Sequence, residues 1–173
     1  MKTKSDAWYA LHVVTGQEME IAGIVGMMPG CTASAPLDEL VVHDSVKRQF
    51  SMRYDTLFPG YVFVRCPLTP ETYYQMIAIP GVLRLLGVTA AGDLPEPIPD
   101  EDIWWIGYER EYQGCIGLSD AVRNAEGHIE IVSGALKALE PYIKKINARQ
   151  HYAIVELPLG GTVHRLRLGV VVR

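Results

Sequence analysis

Apolar residues recur at every second position through Tyr9, Leu11 and Val13, and the residues between them, Trp8, Ala10, His12 and Val14, are largely apolar too. "AWYALHVV" therefore predicts a strand that needs cover on both faces. The period then changes: Ile21, Ile24, Val25 and Met28 fall at helical spacing, behind a capping box of Thr15 and Glu18, and Pro29 and Gly30 end the helix. "LDELVVHDSVKRQFSMRYD" reads as two strands around a turn at His43 to Ser45. Next comes "LFPGYVFVRC", a strand over 60–66 with Tyr61 and Phe63 on one side and Val62 and Val64 on the other. Thr69 and Pro70 have the residue types of an N-cap and first helical position, so a second helix runs over about 70–78 with Tyr73, Met76 and Ile77 on one face. Pro80 and Gly81 stop it, and "VLRLLG" is a short strand.

The Pro-rich "LPEPIP" leads to "DEDIWWIGYEREYQ", a third helix whose start carries Asp100, Glu101 and Asp102 and whose end lies by Gln113 or Gly114. Residues 114–126 have the Gly, Ser, Asp and Asn content of a linker. From 127 the pattern is five short strands, "HIEIVS", "YIKKIN", "HYAIVEL", "TVHRLRL" and "GVVV", which suggests a small barrel. The fold class is α+β: an antiparallel sheet with its helices gathered on one face, then a barrel. Helices on one side leave the second apolar face of the "LFPGYVFVRC" strand open, and an open apolar patch marks a partner site.

At 173 residues with 49% apolar content, the chain can build one core or two small ones. The start, "MKTKSDAWYA", lacks the apolar middle of a secretory signal, and Cys31, Cys66 and Cys115 lie far apart without a CxxC pair, so a reducing, cytoplasmic setting is expected. No apolar run is long enough to span a bilayer, so no membrane partner is expected. The formal charge of −4 is uneven. From residue 127 onward seven bases (Lys137, Lys144, Lys145, Arg149, Arg165, Arg167, Arg173) face three acids (Glu130, Glu140, Glu156), a net of +4 that leaves −8 for the rest. The basic tail is the nucleic-acid candidate.

"WYALHVVTGQE", "LFPGYVFV" and "IPGVLRLLG", in that order and followed by a Pro-rich entry and a small basic barrel, resemble the NusG family of transcription elongation factors. The resemblance implies an NGN domain, ferredoxin-like, over 6–113, a linker over 114–126, and a KOW domain, an SH3-like β-barrel, over 127–173. "SGALKALEPYIKKINARQHYAIVEL" is more similar to the specialised LoaP group, keeping Ser133, Gly134, Leu136, Lys137, Leu139 and Glu140 of its pattern. It departs at Ala135, Ala138 and Pro141; Pro141 replaces the usual KOW glycine, so that turn must accept a fixed φ and no amide donor.

By this resemblance, His12, Phe58, Tyr61 and Leu85 bind the clamp helices of RNA polymerase, and Thr72, Tyr73 and Tyr74 touch its opposite jaw. Lys47, Arg48 and Arg53 would meet the non-template DNA strand through its phosphates. Each has a plainer alternative: Phe58 and Tyr61 as core, Tyr73 packed inward beside two solvated neighbours, and the hairpin bases as a solvated face. In the tail, Lys137, Lys144, Lys145, Arg149, Arg165 and Arg167, with His151 and Tyr152 among them, suit an RNA hairpin recognised by shape, or are solvated charges. Histidines at ligand spacing, GxSxG, Walker and GxGxxG patterns are all missing, so no enzyme, metal or cofactor is expected. The resemblance implies a processive antiterminator; the alternative is a housekeeping factor whose KOW domain binds Rho or ribosomal protein S10.

Overall fold

A computed structural model describes residues 6–105, 109–110, 115–159 and 161–173. The chain divides into two compact units: Met1–Ala35 with Phe58–Trp104, and Pro36–Leu57 with Trp105–Arg173. The fold is mixed α+β, as the sequence pattern implies.

In the first unit the order is β1 (Ala7–Val13), α1 (Glu18–Gly26), β2 (Thr32–Ser34), then, beyond the excursion into the second unit, β5 (Tyr61–Cys66), α2 (Pro70–Ile77) and β6 (Val82–Leu85). The sheet runs β2-β5-β1-β6 with every pairing antiparallel, the arrangement of a ferredoxin-like split βαβ fold. Both helices cover one face. Tyr9, Leu11 and Val13 of β1 and Val62, Val64 and Cys66 of β5 form a core with Ile21 and Val25 of α1 and Met76 of α2. Each such side chain contributes about 1.5–3 kcal/mol on leaving water.

The opposite face is not open. Trp8, Ala10 and Phe63 are buried there, and the Ile98 amide donates to the Trp8 carbonyl at 2.7 Å, so the segment after β6 returns to the sheet. The expected bare face shrinks to the end that carries His12 and Tyr61, both half-buried.

The expected capping box at Thr15 is replaced. Gln17 occupies the N-cap of α1 without a side-chain cap, and the Glu18 carboxylate turns to Gly16 and Gly60 instead. The cap of α2 follows the residue types: the Thr69 hydroxyl accepts from the Thr72 amide at 3.1 Å. The third helix expected from Asp100 shortens to a 3-10 turn, Asp100–Asp102, and Glu109–Arg110 is a strand; residues 106–108 and 111–114 lie outside those described.

The second unit holds two sheets. In one, β3 (Leu37–Asp44) pairs antiparallel with β4 (Gln49–Thr56) and parallel with β8 (Cys115–Ile116), which pairs with β7 (Glu109–Arg110). The β3–β4 turn lies after Asp44, later than the expected 43–45, because the Asp44 side chain accepts from the amides of Val46 and Lys47. The other is a curled sheet in the order β10 (Ile129–Ser133), β9 (Ser119–Arg123), β13 (Thr162–Val172), β12 (Tyr152–Leu159) and β11 (Ile143–Asn147).

"TVHRLRL" and "GVVV" thus form one strand, β13, and the fifth strand comes from the stretch read as linker. The reason is Ser119: it is 1% exposed, and its hydroxyl accepts from the Leu136 amide at the start of α3 (Ala135–Ala138). Gly134 lies on top of it with φ 88 and ψ −174, a region essentially closed to side chains, and a Cβ there would sit 2.7 Å from Ser119 Cα. Pro141 is the second residue of a 3-10 turn, Glu140–Tyr142, where a missing amide costs nothing. The hairpin packs within this unit: Gly169 of β13 lies against the Glu39 carbonyl of β3, too close for any Cβ, and Glu39 Oε2 accepts from the Leu118 amide at 3.2 Å.

Candidate functional site

Phe58, Pro59, Gly60 and Tyr61 make a tight turn closed by the Tyr61 amide donating to the Phe58 carbonyl at 3.1 Å, with Gly60 at φ 83. Proline then glycine at the two central positions is what a type II turn requires. The turn is fixed from below. The Gly60 amide donates to Glu18 Oε1 at 2.7 Å, the Gly16 amide to Glu18 Oε2 at 2.8 Å, and the Gly60 carbonyl accepts from the Val13 amide at 2.9 Å. Glu18 is 3% exposed, so one buried carboxylate ties the start of α1 to the turn.

The turn sends its two aromatic rings opposite ways. Phe58 is buried edge-on against Phe63, centroids 5.2 Å apart, while Tyr61 is half-buried beside its cross-strand partner His12 at 5.6 Å. Leu85 pairs with Leu11, faces the helices and is 2% exposed. The four residues expected as one contact set are therefore divided, with His12 and Tyr61 at an edge and Phe58 and Leu85 inside. Register adds a residue that periodicity did not single out. Arg84, exposed, pairs with His12 and shares its side of the sheet, and Leu83 beside it is 57% exposed.

On α2, Thr72 spends its amide and hydroxyl on the Thr69 cap, Tyr73 packs against the core, and Tyr74 is 65% exposed with its ring edge-on to Tyr73 at 5.2 Å. Of this trio only Tyr74 presents a full ring.

In the second unit, β11, β12 and β13 align the tail's cations in rows. Lys145 pairs with Ile154 and Ile154 with Arg167, so the two cations flank Ile154 on one side of the sheet; Arg165 lies opposite Glu156. Lys144 falls in a break of register before Lys145, and both are exposed. Lys137 is engaged with Glu140 at 3.0 Å. The Arg167 guanidinium stacks 4.2 Å over the Tyr152 ring.

Arg149, His151 and Arg167 also border an open cleft of about 750 Å³ whose other wall is the β3–β4 hairpin, through Val41, His43, Phe50 and Arg53. Residues expected for DNA and for RNA thus meet in one concavity, while Lys47 and Arg48 stay in the hairpin turn, Arg48 at φ 52. Arg53 is paired with Asp55 at 2.6 Å. Phe50, which sequence reading passed over, is 62% exposed and edge-on to His43 at 5.0 Å and to His151 at 5.5 Å. Its signal was an aromatic residue between bases in a polar hairpin.

Close by in β3, Asp38 is 1% exposed and its carboxylate makes no close hydrogen bond. Burial pushes its pKa up to about 8, with the Gly169 backbone and the Arg167 charge pulling the other way. Burial also lowers the pKa of His164. Among the described residues no group of His, Cys, Asp and Glu could hold a metal ion, and no helix is long and apolar enough to cross a membrane.

The family model described as "Transcription termination factor nusG" matches residues 6–106. Transcription termination/antitermination protein NusG of Staphylococcus aureus strain Mu50 is 26% identical over 105 residues, 57% of this chain and 58% of that protein. The same protein of strain N315 gives the same figures, so the chain matches less than two thirds of the length of these relatives. Among solved structures, one titled "Domain interaction in Thermotoga maritima NusG" superposes with a TM-score of 0.52 at 20% identity, covering 95% of this chain and 94% of that one, a likeness of fold.

Proposed function

The chain belongs to the NusG family, and from that membership we propose that it is a transcription antitermination factor of the specialised LoaP type. It has no chemistry of its own to perform: the ferredoxin-like unit binds RNA polymerase and the barrel binds RNA. The observation that carries the polymerase contact is the Glu18-anchored turn, which holds Tyr61 beside His12 at the uncovered end of the sheet next to exposed Arg84. An aromatic ring held by a fixed turn gives up little entropy on burial, and an adjacent cation can pair with an acidic helix tip. Phe58 and Leu85 support this edge from inside, and Tyr74 is the contact on the opposite jaw.

For RNA, the supporting feature is the Lys145–Arg167 row with Lys144 beside it, cations on a regular strand spacing suited to phosphates. Exposed Val132 and Val163 favour a second reading, a general factor whose barrel docks a protein such as Rho or ribosomal protein S10.

Co-purification with RNA polymerase tests the first unit. Tyr61→Ala with Arg84→Ala is expected to abolish binding while circular dichroism stays native, and undiminished binding would remove the claim. Salt-sensitive binding of leader RNA, weakened by Lys144→Ala with Lys145→Ala, separates the specialised reading from the general one, which expects Rho or S10 capture instead.

A further inference from the structure

We propose that the cleft between the β3–β4 hairpin and the β12–β13 strands takes one unstacked nucleotide of single-stranded RNA, its base against Phe50 and His151 and its flanking phosphates on Arg149 and Arg167. This rests on the reading of the barrel as an RNA-binding module, and it assigns the hairpin to the same ligand.

Charge comes first. In a chain of formal charge −4, the cleft is bordered by Arg53, Arg149 and Arg167 with His43 and His151, and no Asp or Glu lines it. Among the described residues neither Arg149 nor Arg167 has an ion-pair partner, so both keep their donors for a ligand. Arg167 is also held in place: its guanidinium carbon lies 4.2 Å over the Tyr152 ring, a contact that uses none of its N–H donors on an acid.

The second argument is the aromatic wall. Phe50 is 62% exposed at the cleft, with its ring in T-shaped contact with His43 and His151, so most of its surface is open to a ligand. An aromatic face between cations is how single strands are held, since every base offers a π-face and each phosphate a charge. A duplex buries its bases within its own stack and cannot use Phe50 in this way. His151 supplies the polar element. It lines the cleft beside the Phe50 ring, at φ 57. The cleft volume, about 750 Å³, lies within the range of small-ligand sites.

An acidic peptide would use the cations but not the ring, and DNA would use both; the test distinguishes them. The full chain is titrated by fluorescence anisotropy with a labelled unstructured RNA decamer, the DNA decamer of the same sequence, and an RNA hairpin, at two salt concentrations. Phe50→Ala is expected to weaken decamer RNA binding about tenfold, and Phe50→Trp to restore it. Arg149→Ala is expected to lower the log–log salt slope by about 0.7, one phosphate contact. Lys144→Ala with Lys145→Ala should weaken the hairpin more than the decamer.

If wild-type protein binds RNA and loses it on the lysine substitutions but Phe50→Ala and Arg149→Ala bind as wild type, the cleft assignment is overturned while the barrel reading stands. If no RNA binds at low salt, both fall. Tighter binding of the DNA decamer would overturn the assignment to RNA. Displacement by polyglutamate, with Phe50→Ala silent, would reduce the cleft to a polyanion contact and overturn it too.

Discussion

Replacing Asp38 with Asn should change how the stability of the hairpin and barrel unit depends on pH. Asp38 is 1% exposed, its carboxylate makes no close hydrogen bond, and burial raises its pKa from 3.8 to about 8. In the unfolded chain the carboxyl ionises near the lower value, so between roughly pH 4 and 8 the folded state binds one proton more than the unfolded state. Stability then falls as pH rises, by up to about 1.4 kcal/mol per pH unit. Below the unfolded pKa the group contributes no penalty, and above the folded pKa the penalty is complete. The distance from 3.8 to about 8 sets a ceiling of roughly 6 kcal/mol at about 1.4 kcal/mol per unit. An Asn side chain of the same shape does not ionise. The expected result in urea denaturation is a variant that gains on the wild type steadily from pH 4.5 to 8.5, with the two meeting at the acid end. Other carboxylates cancel in that difference. Parallel stability profiles for Asp38→Asn and wild type across this range would refute the reasoning.

Glu18→Ala removes the acceptor of the buried Gly60 amide and of the part-buried Gly16 amide and should cost about 2–3 kcal/mol, visible as a lower urea midpoint and as loss of hydrogen-exchange protection at Gly60; protection unchanged would contradict the anchoring role. Gly134→Ala pushes a methyl onto Ser119 at a φ of 88 and should destabilise the barrel by about 3 kcal/mol in thermal melts, whereas a variant within about 0.5 kcal/mol of wild type would show that the contact can relax. Thiol titration of the native chain should proceed only through Cys31, and slowly, because burial raises its pKa; Cys66 is buried with its pKa pushed up to about 12, and Cys115 is buried. Rapid labelling of Cys66 would argue against the packed helix-side core.

What could be read from the chain alone was whatever depends on neighbours in sequence. Period two in "AWYALHVV" and "YVFVRC" gave strands with two apolar faces, Thr69 and Pro70 gave the start of α2, and Pro59 with Gly60 gave a turn. Those are local consequences of backbone dihedrals and side-chain alternation. The site was legible as residue types, His12 and Tyr61 on one side and a cluster of tail cations on the other, but not as a grouping. Leu85 lies apart from His12 and Tyr61 because face is decided by register against Leu11, which no spacing within "VLRLLG" encodes.

Three further features needed distant partners. A carboxylate at a helix start can cap its own turn or reach elsewhere, and only the approach of Gly60, 42 residues away, drew Glu18 out of its capping box. Ser119 has the composition of a linker until Gly134 and the Leu136 amide close over it and make it part of a strand paired on both sides. The hairpin of residues 37–56, interrupting the ferredoxin-like unit in sequence, groups with the barrel because Gly169 has no side chain to keep the Glu39 backbone away. Sequence by itself determined the elements of the first unit, the acidic and basic division and the family; tertiary structure decided the strand taken from the supposed linker, which faces were covered, and that Phe50 should share a cleft with Arg149, His151 and Arg167. The physical reason is that alternation and capping act over a few residues, whereas burial, register and charge proximity depend on segments that meet only when the chain has folded.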